Sequence, residues 1–291
     1  MIAKTLKICA AMIALALPAT VVPAAADPLA KDVFGGIRTS NGGPAQPIGF
    51  YSKGCASGNV QLPETGPTWQ AMRLSRNRNW GQPQLVQFLA DLSAQARQAG
   101  WQGLYIGDMS QPMGGPMKTG HASHQIGLDA DIWMLPPQSM RLSVAQREKI
   151  SSQSVVAKNG LGPSALWSAS HHMILRAAAS DPRVERVFVD PVAKVMMCNA
   201  ETGNRAYLRK IRPINGHDFH FHVRLACPAG ASACQHQDPV PAGDGCAEAG
   251  QWIANRANPP KSQPKADPDY RHPRSFRLSE MPRTCQALVT R

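Results

Sequence analysis

Apolar side chains recur at helical spacing between Pro83 and Gln98, where Leu85, Phe88, Leu89, Leu92 and Ala96 share one face. Proline suits a first helical turn and Gly100 a stop, so the pattern predicts an amphipathic helix over 83–98. GLYIGD, residues 103–108, is short and apolar with aromatic and β-branched content, and reads as a strand. Pro112, Gly114, Gly115, Pro116 and Gly120 then break residues 109–120 into a loop. In LDADIWM, residues 128–134, Leu128, Ala130 and Ile132 alternate with Asp129, Asp131 and Trp133, the period of a half-buried strand. A helix from about Ser143, another from Pro163 to about Ser180, and strands over 184–190 and 219–225 follow. In the last strand His220 and His222 project from one face, while Phe219, Phe221 and Val223 face the core.

Helices and strands are interspersed without a steady βαβ rhythm. This predicts an α+β fold, a single domain with a mainly antiparallel central sheet and flanking helices. The domain spans 27–254. Its first part, 27–67, is rich in Gly, Pro and Ser and reads as a coil-rich lead-in. Beyond it, Pro259, Pro260, Pro264, Pro268 and Pro273 among charged residues mark 255–291 as a Pro-rich flexible arm and C-terminal tether. Residues 1–26 follow another plan: Lys4 and Lys7, an apolar run from Ile8 to Leu17, then Ala24, Ala25 and Ala26 before Asp27. That is the layout of a cleavable export signal. The run falls short of the roughly 20 apolar residues that a membrane span needs, and no later segment qualifies.

Removing the leader removes one of seven cysteines and leaves Cys55, Cys198, Cys227, Cys234, Cys246 and Cys285. An even number in an exported chain reads as three disulfides, although residue types alone leave most pairings open. Only Cys227 with Cys234, across the short loop CPAGASAC, suggests itself directly. No C-x-x-C occurs, which argues against a cysteine metal site. The net charge of +12 falls to +10 without Lys4 and Lys7. Such a balance favours an anionic partner, and export points to a cell wall or membrane face rather than nucleic acid.

Five of the nine histidines sit in two windows, GHASHQIGLDADIW and NGHDFHFHVRL, each running into a predicted strand. His124 and Asp131 are seven residues apart with Gly127 between them, so a histidine on the entering loop can meet an aspartate on the strand. With His222 they form a two-His, one-carboxylate set suited to a catalytic zinc, which takes three protein ligands and keeps a position for water. No HExxH is present. His220, on the same strand face as His222, is the natural base in its place. Asp129 shares a face with Asp131, either as a competing ligand or as an acceptor that orients an imidazole. Trp80, Trp101 and Trp133 read as core aromatics.

The two histidine windows, together with the GDGC around Cys246, closely resemble the penicillin-insensitive murein endopeptidases, within the wider zinc peptidase group of lysostaphin-like and D-Ala-D-Ala enzymes. The resemblance runs from about Gly54 to about Leu288. It implies zinc ligands at His124, Asp131 and His222, catalytic histidines at His220 and His217, and His121 lining the site. It also implies hydrolysis of the D-alanyl to meso-diaminopimelyl cross-link of peptidoglycan in the periplasm, and disulfides Cys55–Cys285, Cys198–Cys246 and Cys227–Cys234. Some relatives hold a second metal with an Asp-x-x-His, but the matching stretch here, KNGL at 158–161, has neither residue, so one zinc is expected. A zinc D-Ala-D-Ala carboxypeptidase and a non-catalytic wall-binding protein are the alternative readings. Strings resembling serine-type wall enzymes also occur, at Ser262 to Lys265, Ser75 to Asn77 and Lys118 to Gly120. Their order is reversed and Pro264 sits inside the first, so no helix could present Lys265 to Ser262.

Overall fold

A computed structural model describes residues 27–262 and 267–290. The predicted leader, 1–26, and Lys265 lie outside the described residues.

The chain opens with a short helix, Ala30–Phe34, and a hairpin of β1, Gln46–Phe50, and β2, Lys53–Ser57. Two short strands, β3, Val60–Gln61, and β5, Trp80–Gly81, pair with each other. The region expected to be coil is therefore partly regular. Its alternation is masked by glycine: Gly49 sits at φ +78°, and a Cβ there would lie 2.6 Å from the Lys53 carbonyl oxygen.

The main sheet takes β4, Trp69–Ala71; β6, Leu104–Ile106; β7, Asp129–Trp133; β8, Val184–Val189; β9, Ile211–Pro213; and β10, His220–Leu225. Their spatial order is β4-β6-β7-β10-β8-β9. The three central pairings are antiparallel and the two outer ones parallel, giving a mixed, mostly antiparallel sheet in an α+β fold. One sheet face carries Ile106, Ile132, Phe221, Val223 and Val187 into a core shared with Leu85, Phe88, Leu89 and Leu92 of the helix Pro83–Gln98 and Ile174, Leu175 and Ala178 of the helix Ala169–Ser180. Burying each of the large side chains among these contributes about 1.5–3 kcal/mol.

Helix Pro83–Gln98 has the predicted bounds. The helix after Ser143 spans Val144–Lys149, started by a capping box in which the Ser143 hydroxyl accepts from Gln146 N. The helix expected from Pro163 begins only at Ala169, and Phe219 is 48% exposed just before β10 rather than in the core. Four α-helices among the described residues were not anticipated, Ala30–Phe34, Pro191–Ala200, Cys246–Ala257 and Arg283–Val289. The Pro-rich stretch after Ala257 returns to the body through the last of these.

All three disulfides join the expected partners, with Cα separations of 5.7, 5.9 and 5.8 Å. Cys55–Cys285 lies in a small cluster with Phe34, Ile48 and Met281 that fastens the two ends together. Beside it the Asp27 carboxylate accepts from the Ser279 backbone and hydroxyl.

Candidate metal centre

The β7–β10 register builds one wall of the site. His220 lies opposite Trp133, His222 opposite Asp131, and Arg224 opposite Asp129. Directly opposed residues share a sheet face, so the polar side chains gather on the side away from the core. His124 enters from the preceding loop in the left-handed region at φ +67°. Gly127 makes this turn possible: it has φ +74°, and a Cβ there would meet the Asn59 side chain at 2.4 Å.

Asp131 is the meeting point. His124 Nε2 lies 3.3 Å from Asp131 Oδ1, His220 Nε2 3.5 Å and His222 Nδ1 3.8 Å from the same oxygen. His121 Nδ1 lies 3.5 Å from the other oxygen, Oδ2. His121, His124 and Asp131 each offer one ligand atom, all within 4.8 Å of one another.

The imidazoles are oriented from behind. His124 Nδ1–H donates to the Met109 carbonyl at 2.7 Å, which leaves Nε2 as an acceptor pointing at Asp131. His222 Nε2–H donates to Asp129 Oδ1 at 2.9 Å, leaving Nδ1 turned inward. Asp129 also accepts from His124 N at 3.0 Å and from Arg224 Nε at 2.6 Å. Fully buried, Asp129 is a brace tying loop to strand. Its carboxylate is held below the usual range despite burial, because Arg224 and His222 face it. His121 Nε2–H donates to Asp108 Oδ2 at 2.9 Å, an oxygen shared with Arg76 and Arg78.

Six buried side-chain polar atoms lack a hydrogen-bond partner among the described residues, and two of them face each other here: His124 Nε2 and Asp131 Oδ1. Orphaned buried polar atoms are costly and rare, and a lone pair facing a carboxylate oxygen across 3.3 Å is the arrangement a divalent cation satisfies. The charge states of Asp131 and His222 agree with this, whereas His124, although burial opposes it, is drawn toward its protonated form by Asp131, Asp129 and Asp108. Burial opposes ionisation of Asp131, yet His220, His124 and His121 hold its carboxyl well below the ordinary value. Burial pushes His222 down to about 3, so it is a neutral donor.

Two cavities flank this point, with His121 and His220 lining both. One, about 340 Å³, adds Arg73, Arg76, Trp133 and Ser151. The other, about 510 Å³, adds Phe188, Ile214 and His217. His217 sits at the rim, its ring 4.9 Å from that of His220.

The sequence profile of the penicillin-insensitive murein endopeptidases matches residues 47–290. The chain belongs to that family. Similar murein endopeptidases include one from Haemophilus influenzae, 42% identical over 79% of this chain and 81% of its own. Another, from Klebsiella pneumoniae, is 41% identical over 91% of this chain and 94% of its own. A third, from Salmonella heidelberg, is 40% identical over 85% and 87%. As a murein endopeptidase the chain is a hydrolase acting as a peptidase, and Ser75, in one of the serine-type strings, donates to Glu148 on the surface.

Of the residues singled out in the sequence, His121, His124, Asp131, His220 and His222 converge on one point, with Asp129 behind them and His217 at the edge. Asp108, Arg73, Arg76, Arg78 and Arg224 were missed. Only Asp108 carried a signal, as an acid closing the strand-like run GLYIGD.

Proposed function

We propose that this murein endopeptidase hydrolyses the D-alanyl to meso-diaminopimelyl cross-link of peptidoglycan, using one zinc ion held by His124, Asp131 and His222. The observation that carries the reading is the pair of orphaned atoms, His124 Nε2 and Asp131 Oδ1, with His222 Nδ1 turned to the same oxygen. His121 faces the other oxygen and lines the site. Zinc at this position supplies Lewis acidity, polarising the scissile carbonyl and lowering the pKa of water.

The remaining steps belong to the side chains. His220, 24% exposed, reaches both Asp131 and the cavity. There it takes the proton of the attacking water and returns it to the leaving amine. His217 assists from the rim, kept neutral because burial and the neighbouring His220 lower its pKa. The stretch KNGL at 158–161 offers neither Asp nor His, in keeping with a single ion. The leader 1–26 directs the domain 27–254 and its arm 255–291 to the periplasm. There the basic surface meets wall carboxylates.

Incubating cross-linked muropeptide dimers with the protein, before and after treatment with a zinc chelator and after zinc is restored, tests the reading. Cleavage lost on chelation and regained with zinc is expected. Cleavage that survives chelation removes the metal mechanism, and a dimer left intact by the zinc-loaded protein removes the activity.

A further inference from the structure

The two cavities flanking Asp131 differ in kind. The larger presents Phe188 and Ile214, and its one arginine, Arg224, is already paired with Asp129. The smaller holds Arg73, which pairs with no carboxylate among the described residues. Its Nη2 donates to Ser151 Oγ at 2.9 Å and its guanidinium lies over the Trp133 ring at 5.9 Å. The remaining guanidinium N–H donors of Arg73 make no hydrogen bond among the described residues. Arg76, beside it, shares Asp108 Oδ2 with Arg78. Of the two acids lining this cavity, Asp108 already faces two arginines and Asp131 is ringed by histidines, so Arg73 is surplus positive charge on the cavity wall.

The backbone holds Arg73 in place at a cost. It adopts φ 58°, ψ 47°, a left-handed conformation that a residue with a Cβ rarely takes. Asn77 repeats this at φ 52°, ψ 46°, a conformation asparagine takes readily, so the short turn Leu74–Arg76 is bracketed by two left-handed residues. It is braced by Ser75, whose N and Oγ donate to Glu148 at 2.8 and 2.9 Å. Strain retained at a cavity wall accompanies binding sites.

The proposed substrate has a group that fits. Diaminopimelate carries an amine and a carboxylate at each end, so the carbon bearing the scissile nitrogen also bears a free carboxylate. Asp131 and His220, where the amide would lie, line the same cavity as Arg73. Guanidinium binds carboxylate through two parallel N–H donors.

We propose that Arg73, with Arg76 beside it, forms the subsite for the free carboxylate next to the scissile nitrogen, and so fixes the direction in which the cross-link lies across the centre. This rests on the cleavage reading above. The stem also has a terminal carboxylate, and the test separates the two sources.

The test measures kcat/KM for the parent, Arg73→Gln and Arg73→Lys on three dimers: unmodified, amidated at the carboxylate beside the scissile nitrogen, and amidated at the terminal D-alanine. Arg73→Gln is expected to lose about 10- to 100-fold on the unmodified dimer. It should lose nothing further on the first amidated dimer, where the parent falls to its level. Arg73→Lys, with charge but no fork, should lie between them. Terminal amidation should leave the parent unchanged. A parent indifferent to the first amidation, a parent responding to the terminal one instead, or an Arg73→Gln loss equal on unmodified and first-amidated dimers overturns the proposal. A second arm titrates a monomeric stem bearing the free carboxylate into chelator-treated protein by calorimetry. Binding at least about tenfold tighter to the parent than to Arg73→Gln is expected, and equal binding overturns the subsite. This arm needs no turnover, so it decides the subsite even where the dimer is not cleaved.

Discussion

Replacing Asp129 by Asn tests the brace behind the site. The substitution keeps the shape and one carbonyl-type acceptor but removes the charge that Arg224 and His222 share. It also places an amide where a carboxylate oxygen now accepts from His124 N, so one of the three donors loses its partner. Arg224 is 7% exposed and sandwiched over the rings of Tyr51 and Phe188 at 4.3 and 5.2 Å, so it cannot swing into water. Stranding one member of a buried ion pair costs about 3–5 kcal/mol, and the acceptor that the amide retains puts this substitution at the lower end, about 3 kcal/mol. Separately, an imidazole that loses its orienting carboxylate typically loses about 10- to 100-fold in metal affinity. Urea unfolding of the metal-free proteins reads the first quantity, and competition with a zinc-binding dye reads the second. A variant that unfolds at the parent's urea midpoint and holds zinc as tightly would refute the assignment of Asp129 as a brace.

Three further outcomes are expected. His220→Ala should lower turnover of muropeptide dimers by about 10²- to 10⁴-fold while retaining the parent's zinc content, and loss of zinc would place His220 among the ligands instead. Among paired Cys→Ala variants, opening Cys55–Cys285, separated by 230 residues, should cost most, about 5 kcal/mol. Opening Cys227–Cys234, separated by 7, should cost least, about 2–3 kcal/mol, and urea midpoints in the reverse order would contradict loop-closure entropy as the source. His171 is buried with Nε2–H donating to the Met134 carbonyl at 2.8 Å and Nδ1 accepting from Ser168 N at 3.1 Å, so its neutral form is built into the fold. Burial lowers its pKa below the unfolded value. Its contribution to stability is therefore full above about pH 6.5 and falls away as the pH drops below that, by at most about 1.4 kcal/mol per unit. Unfolding free energies from pH 7.5 to 5 should slope less in His171→Gln, and parallel curves would rule the group out.

Much of the site was legible because its parts obey local rules. The two-residue period of LDADIWM set Asp129 with Asp131 on one strand face and that of FHFHVRL set His220 with His222 on another, and the pairing of the two strands brings both pairs to the same side. The helix over 83–98 declared itself by apolar spacing and its leading proline. Other elements were hidden for physical reasons. The β1–β2 hairpin is glycine-rich, and Gly49 supplies a backbone conformation rather than a side-chain signal. Helix Pro191–Ala200 was missed although Asp190 and Pro191, an N-cap followed by a first-turn proline, carry a start signal; the Asp190 carboxylate accepts from Val192 N at 2.9 Å. Arg73, Arg76 and Arg78 reach the centre from a turn some fifty residues ahead of His124, by way of left-handed residues that no periodicity announces. Their contribution exists only once the turn has docked on Glu148 and Asp108.

The pairing of His222 with Asp131 also makes enzymatic activity a gauge of sheet alignment. Sliding β10 by one position would turn His220 and His222 into the hydrophobic layer and put Phe221 and Val223 where the donors belong. A misaligned or prematurely ended chain is therefore silent rather than partly competent. In a refolding experiment the recovery of cleavage reports that two distant segments have met in the correct frame, something that spectroscopic recovery of secondary structure does not distinguish.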